Sequence, residues 1–193
     1  MTGTRAVLAT VVTVLGLGVA ACGGEDPEPN VAPSAPSSSS APSAPPSTTG
    51  TAVDTPPEMP DEASQQTQPG AERFVHYWFD ALSFGMTTGE TGTVSKASDA
   101  ECGSCQALIR QIDELYAKGG RVQTAGWSVA VLTPNGNFDI AAPSFLLRVK
   151  QARRTLLEGA EVIDRTPPAQ VPMHVRLASK SGSWVVADLE IIE

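Results

Sequence analysis

Apolar side chains follow two rhythms along this chain, and a long stretch before them follows neither. From Ala71 to Met86, Phe74, Trp78 and Leu82 recur at helical spacing, and Val75, Phe79 and Met86 follow one position on. This predicts a helix with a broad apolar face, ended by Gly89. Thr93 to Ala97 reads as a short helical turn. Cys105, Leu108, Ile109, Ile112, Leu115 and Tyr116 repeat the i, i+3, i+4, i+7 pattern of a second long helix, with Gly119-Gly120 as its stop. Ser98-Asp99-Ala100-Glu101 has the form of a capping box and predicts a helix start just before Cys102.

After Gly120 the period drops to two. Trp127, Val129 and Val131 alternate with Ser128 and Ala130 before a Pro134-Asn135-Gly136 turn signal. Phe145 to Leu157 predicts one long strand with Arg148, Lys150 and Arg154 on one face. Val171, Met173, Val175 and Leu177 alternate with His174 and Arg176, and Lys180-Ser181-Gly182-Ser183 turns the chain into Val185, Ala187, Leu189 and Ile191, a hairpin. Helices grouped before strands predict an α+β fold, with the helices packed on one face of a curved antiparallel sheet of about four strands.

The segment ahead of the first helix changes the picture of the whole chain. Net charge is −8 over 193 residues, yet residues 23–70 hold seven acids and no Lys or Arg, together with 11 of the 16 prolines. A stretch so poor in apolar side chains cannot offset its ordering entropy, so residues 22–70 read as a disordered tether and 71–193 as the one domain. A flexible chain of that length spans about 40 Å. The acidic balance excludes a basic nucleic-acid-binding surface.

Residues 1–21 read as a signal peptide: Arg5, then an uncharged stretch from Ala6 to Ala20, then small residues before a cysteine. Val19-Ala20-Ala21-Cys22 resembles the lipobox of bacterial lipoproteins. That resemblance implies cleavage between Ala21 and Cys22 and a diacylglycerol thioether on Cys22, which places the protein on the extracytoplasmic face of the cell membrane. Two acyl chains give durable anchoring where one gives reversible binding. An ordinary secretory signal or an uncleaved signal anchor are the other readings of the segment. Three cysteines in an exported chain leave one unpaired, and acylation of Cys22 would account for it, leaving Cys102 and Cys105 to pair.

The order helix, short helix, helix, strands resembles the cone-shaped NTF2-like fold, in which a bent sheet wraps a long helix around a pocket. Pro57-Glu58-Met59-Pro60, Ala71-Glu72-Arg73-Phe74-Val75-His76-Tyr77-Trp78, Cys102-Gly103-Ser104-Cys105, Gly119-Gly120-Arg121 and Trp184-Val185-Val186 resemble a family of actinobacterial lipoproteins of unknown function (DUF6318) over about residues 57–193. The family implies no activity.

Candidate chemistry is sparse. A Cys-x-x-Cys at a helix start can be a redox pair, but Asp99 and Glu101 oppose a thiolate at Cys102, and no strand precedes it as in a thioredoxin-like site. A structural disulfide is therefore favoured over a redox pair, metal ligands or free thiols. His76 and Asp80 stand at i, i+4 on the flank opposite the Phe74, Trp78, Leu82 stripe, where a solvent-facing ion pair outweighs an acid/base pair. His174 alternates with apolar neighbours and is expected to face away from the core. Tyr77, Trp78, Trp127 and Phe145, with Trp184, are candidates to line a small apolar pocket, although aromatic residues at these spacings more often form core. Arg148, Lys150, Arg153 and Arg154 are either a solvated strand face or a surface for anionic polymers or headgroups. No nucleophile elbow, phosphate-binding glycine loop or metal-ligand spacing occurs, so no catalytic residue, metal or cofactor is assigned. The expected role is non-enzymatic binding of an unknown envelope protein. A carrier of a small apolar ligand is the first alternative, and an isomerase or dehydratase using His76, Tyr77 or Asp80 the second.

Overall fold

The structure is a computed structural model that describes residues 55–192. Ala21, Cys22 and most of the tether lie outside the described residues. Residues 55–70 belong to the fold rather than to the tether as expected. A 3-10 helix, Asp61–Ser64, buries Ala63 completely, and Trp184 Nε1 donates to the Gln65 carbonyl at 2.9 Å. The composition of this stretch hides its order, because the contacts come from an alanine methyl, a backbone carbonyl and a glutamine amide.

The first long helix, α1 (Gln68–Thr88), starts three residues earlier than its apolar period. The Thr67 side chain accepts from the Gly70 N–H at 3.2 Å and a proline sits in the first turn, both favourable helix starts. Gly89 ends it with φ +81°, and a Cβ there would meet the Tyr116 ring at 2.5 Å. α2 (Gly92–Lys96) is the short turn, and α3 (Gly103–Ala117) the second long helix. The capping box is not formed. Cys102 is the N-cap of α3, its Sγ accepting from the Cys105 N–H at 3.3 Å. Ser98 instead accepts from Trp78 Nε1 at 2.8 Å and donates to the Val94 carbonyl, while the Asp99 carboxylate takes Lys180 Nζ at 2.8 Å. With the Ser98 hydroxyl engaged by Trp78 and Val94, the Glu101 N–H that the box would use donates to the Asp99 carboxylate at 3.0 Å instead.

Seven strands follow among the described residues instead of about four: β1 (Gly120–Thr124), β2 (Trp127–Pro134), β3 (Ser144–Gln151), β4 (Arg154–Glu158), β5 (Glu161–Thr166), β6 (Ala169–Lys180) and β7 (Ser183–Ile191). They form a four-stranded sheet in the order β2-β3-β6-β7 and a three-stranded sheet in the order β1-β4-β5, with all strand neighbours antiparallel. The run from Phe145 to Leu157 is two strands, one in each sheet, broken at Ala152-Arg153. The chain thus passes between the sheets three times, at Ala125-Gly126, Ala152-Arg153 and Pro167-Pro168. The fold is α+β, helices first and antiparallel sheets after.

The core lies between α1 and the inner face of the four-stranded sheet. Phe74, Trp78, Phe79 and Leu82 meet Phe145, Val149, Val175, Leu177 and Trp184, each at most 2% exposed. Two bulges revise the expected faces. Between Val129 and Val131 the register with β3 shifts, so Val131 is 51% exposed rather than inward. In β7, Arg176 faces Asp188 and Leu177 faces Val186, leaving Ala187 as an extra residue. Trp184, Val186 and Leu189 point inward, and Ile191 is exposed. Among the described residues no helix is long and apolar enough to cross a membrane.

Candidate functional site

Where the chain crosses between the sheets it leaves a cleft of about 550 Å³. Its floor is set by a close approach to α1. Gly126 has φ +83°, and a Cβ there would lie 2.6 Å from Ser83 Cβ, so only glycine fits both the backbone and the space. Ser83 Oγ donates to the Trp127 carbonyl at 3.0 Å and accepts from its N–H at 2.8 Å, while the Ala152 N–H donates to the Gly126 carbonyl at 3.0 Å. Two of the three crossings are therefore fastened to each other and to the helix.

The wall is the cross-strand row Ser128, Lys150, Gln170, with Gln151 beside it. It offers hydroxyl, amide and ammonium groups, and no carboxylate among the described residues lines it. Arg148, two residues from Lys150 on the same exposed face, adds a second cation whose cross-strand neighbours are Val131 and Pro172. The basic run does not continue as one face. Arg153 sits exposed in the bend, and Arg154 turns onto the other sheet, where it lies 3.7 Å from Asp164 and donates to Thr166 Oγ1 at 3.1 Å.

The aromatic residues expected to line a pocket do not line this cleft. Trp78 and Phe145 are sealed in the core, Tyr77 is half-buried beside Phe74 with ring centroids 6.1 Å apart, and Trp127 is half-buried with its backbone held by Ser83. The helix and strand periods that made them conspicuous are the periods of core packing.

His76 and Asp80 are exposed on α1, and among the described residues they form no ion pair within 4.0 Å. Partial desolvation raises the Asp80 carboxyl above its ordinary pKa, with the His76 charge opposing, and burial raises the Tyr77 hydroxyl. Cys102 and Cys105 form a disulfide and both are buried. Beside them, the Glu101 backbone N–H and then Lys180 hold the Asp99 carboxyl below its usual range, and Asp99 in turn raises Lys180.

Strand alternation gives the outward face of His174 but not its carboxylate neighbours. His174, Asp188 and Glu190 each place a potential ligand atom within 4.8 Å of the others on the outer face of the four-stranded sheet.

The family model for DUF6318, described as a family of unknown function, matches residues 44–188. The chain belongs to this DUF6318 family. The match covers residues 55–188 of the described domain and reaches into the segment before it, so the residues of the cleft and those around the disulfide all lie inside the DUF6318 region. No curated protein matches the chain. Solved structures that resemble it include the intermembrane space region of the chloroplast protein ARC6, at 10% identity and TM-score 0.49 over 66% of this chain and 98% of that one. Aln2 from a Streptomyces species resembles it at 12% identity and TM-score 0.44, over 66% and 93%. An NTF2-like protein from Anabaena variabilis does so at 10% identity and TM-score 0.37, over 69% and 92%.

Proposed function

We propose that this DUF6318 chain is a lipoprotein anchored through acylated Cys22 on the extracytoplasmic face of the cell membrane, and that its α+β domain is a non-catalytic binding module. The observation that carries the reading is the accounting of cysteines. Cys102 and Cys105 are joined, which suits an oxidising compartment, and this leaves Cys22, behind Val19-Ala20-Ala21, as the odd cysteine of the three in the sequence. Residues 23–54, rich in Pro and Ser, would carry the domain away from the bilayer.

The cleft between the sheets is the surface such a module would present to its partner. Its lining sets the polar groups of Ser128, Lys150, Gln151 and Gln170 beside Ala125, Ala152, Pro168 and Ala169, a mix that suits a protein partner, while Trp78 and Phe145, candidates for holding a small apolar ligand, are sealed in the core.

The test compares full-length protein with Cys22→Ala in a host that processes lipoproteins. Expected are loss of residues 1–21, a mass gain of diacylglycerol, and release of the variant from the membrane fraction. An unacylated wild-type protein would overturn the anchor. Retention of the domain on envelope preparations that is lost in Lys150→Glu supports the cleft, and retention unchanged by that substitution overturns it.

A further inference from the structure

We propose that the outer face of the four-stranded sheet carries a binding site for one divalent transition-metal ion, with His174, Asp188 and Glu190 as its protein ligands. In β6 and β7, His174 lies directly opposite Glu190, and Asp188 stands two residues before Glu190. All three ligand atoms fall within 4.8 Å of one another. Small side-chain rotations would bring them to the roughly 2.0–2.2 Å that nitrogen and oxygen ligands keep from zinc.

The backbone makes this set. Trp184 and Val186 point into the core, and strict alternation would send Asp188 and Glu190 in after them. The extra residue Ala187 reverses the parity, so Leu189 takes the core position and both carboxylates emerge beside the imidazole. A bulge that re-aims two acids onto one histidine distinguishes this set from a chance group of surface acids.

Electrostatics on the same face favour a cation. Two carboxylates this close repel. Arg176 is the cross-strand neighbour of Asp188 but does not come within 4.0 Å of it, and the ion pairs among the described residues are Arg73 with Glu62, Arg154 with Asp164 and Lys180 with Asp99. Ser144 Oγ lies 3.0 Å from His174 Nε2 and would accept from that nitrogen when Nδ1 ligates, the kind of outer support that orients a ligating histidine. One imidazole and two carboxylates suit Zn²⁺, Mn²⁺ or Co²⁺ better than Ca²⁺, which takes six to eight oxygens. Three protein ligands leave a coordination position open to water or to a group on a partner.

The probe is Zn²⁺ itself, titrated calorimetrically into the purified full chain, with Ca²⁺ as the comparison ion. Expected is one Zn²⁺ per chain, weakened at least about tenfold by His174→Ala and by Glu190→Gln, and unchanged by His76→Ala. Glu190→Gln is exposed and nearly isosteric, and an unchanged circular dichroism spectrum separates lost ligation from lost fold. Ser144→Ala is expected to weaken binding less than the ligand substitutions. No Zn²⁺ uptake in molar excess, uptake that survives both ligand substitutions, or equal uptake of Ca²⁺ would each overturn the site.

Discussion

The two sheets of this domain are built from the same kind of strand and differ in what covers them. The four-stranded sheet lays one face on α1, and its inward side chains, from Phe145 to Trp184, are sealed from water. In the three-stranded sheet β5 is open: five of its six residues are exposed, including Val162 and Ile163. Strand pairing alone therefore does not make a core. An antiparallel ladder becomes rigid where a helix removes one face from water, and elsewhere it is held by its hydrogen bonds and turns.

The largest test of that contrast is a pair of truncations. Phe145→Ala should cost about 3–5 kcal/mol by opening a cavity in the core beside Phe138, whereas Ile163→Ala should stay within about 0.5 kcal/mol. Urea denaturation of both variants checks this, and comparable losses would mean that the three-stranded sheet is as deeply packed as its partner.

Next in size is a pair of glycines that differ in surroundings. Gly126 and Gly159 both have positive φ, but a Cβ at Gly126 would strike Ser83 at 2.6 Å while nothing lies within 4 Å of one at Gly159. Gly159→Ala should cost about 1 kcal/mol from backbone strain alone, and Gly126→Ala distinctly more. Equal thermal shifts would show that the sheet junction yields freely and is no fixed floor for the cleft.

The smallest effect concerns pH. The Asp99 carboxyl is held below its ordinary value of 3.8, chiefly by the Glu101 N–H and then by Lys180, and the Asp99 N–H donates to the Val186 carbonyl of the four-stranded sheet. A depressed carboxyl contributes stability that is fully present above 3.8 and is lost as pH falls through the lower folded value. Wild-type stability should therefore fall more steeply below pH 3.8 than that of Asp99→Asn, read from melting temperature against pH. Parallel curves would remove this clamp from the account of the covered sheet.

The helices were legible in the sequence because a covered helix face must be apolar every three or four residues, and Phe74, Trp78 and Leu82 declare it. The strands of the covered sheet were legible for the same reason. β5, with no buried side chain, carries no period because no helix covers it, and β1, although α1 and α3 pack against it, buries only Gly120 and Val122, too short a run for a period to show. The break at Ala152-Arg153 has neither Gly nor Pro to mark it. Candidate site residues were harder still. Trp78 and Phe145 stood out because they pack, whereas the cleft is made of small residues and backbone whose meeting depends on three chain crossings. The outward face of His174 follows from alternation, but its carboxylate neighbours depend on the bulge at Ala187, which no alternating pattern announces. An apolar run from Trp184 to Ala187 that gives way to Asp188, Leu189 and Glu190 is the trace it leaves in the sequence.

The clasp between Gln65 and Trp184 has a mechanical consequence. Trp184 Nε1 grips the Gln65 carbonyl across 119 positions of sequence, and Gln66 Nε2 donates to the Gly182 carbonyl in the adjoining hairpin turn. Tension arriving from the N-terminal segment would reach this pair of bonds and the buried Ala63 before it reached the first turn of α1. A pull on the chain would thus be absorbed by the β6–β7 hairpin, leaving the helix register and the core beneath it undisturbed until the clasp opened.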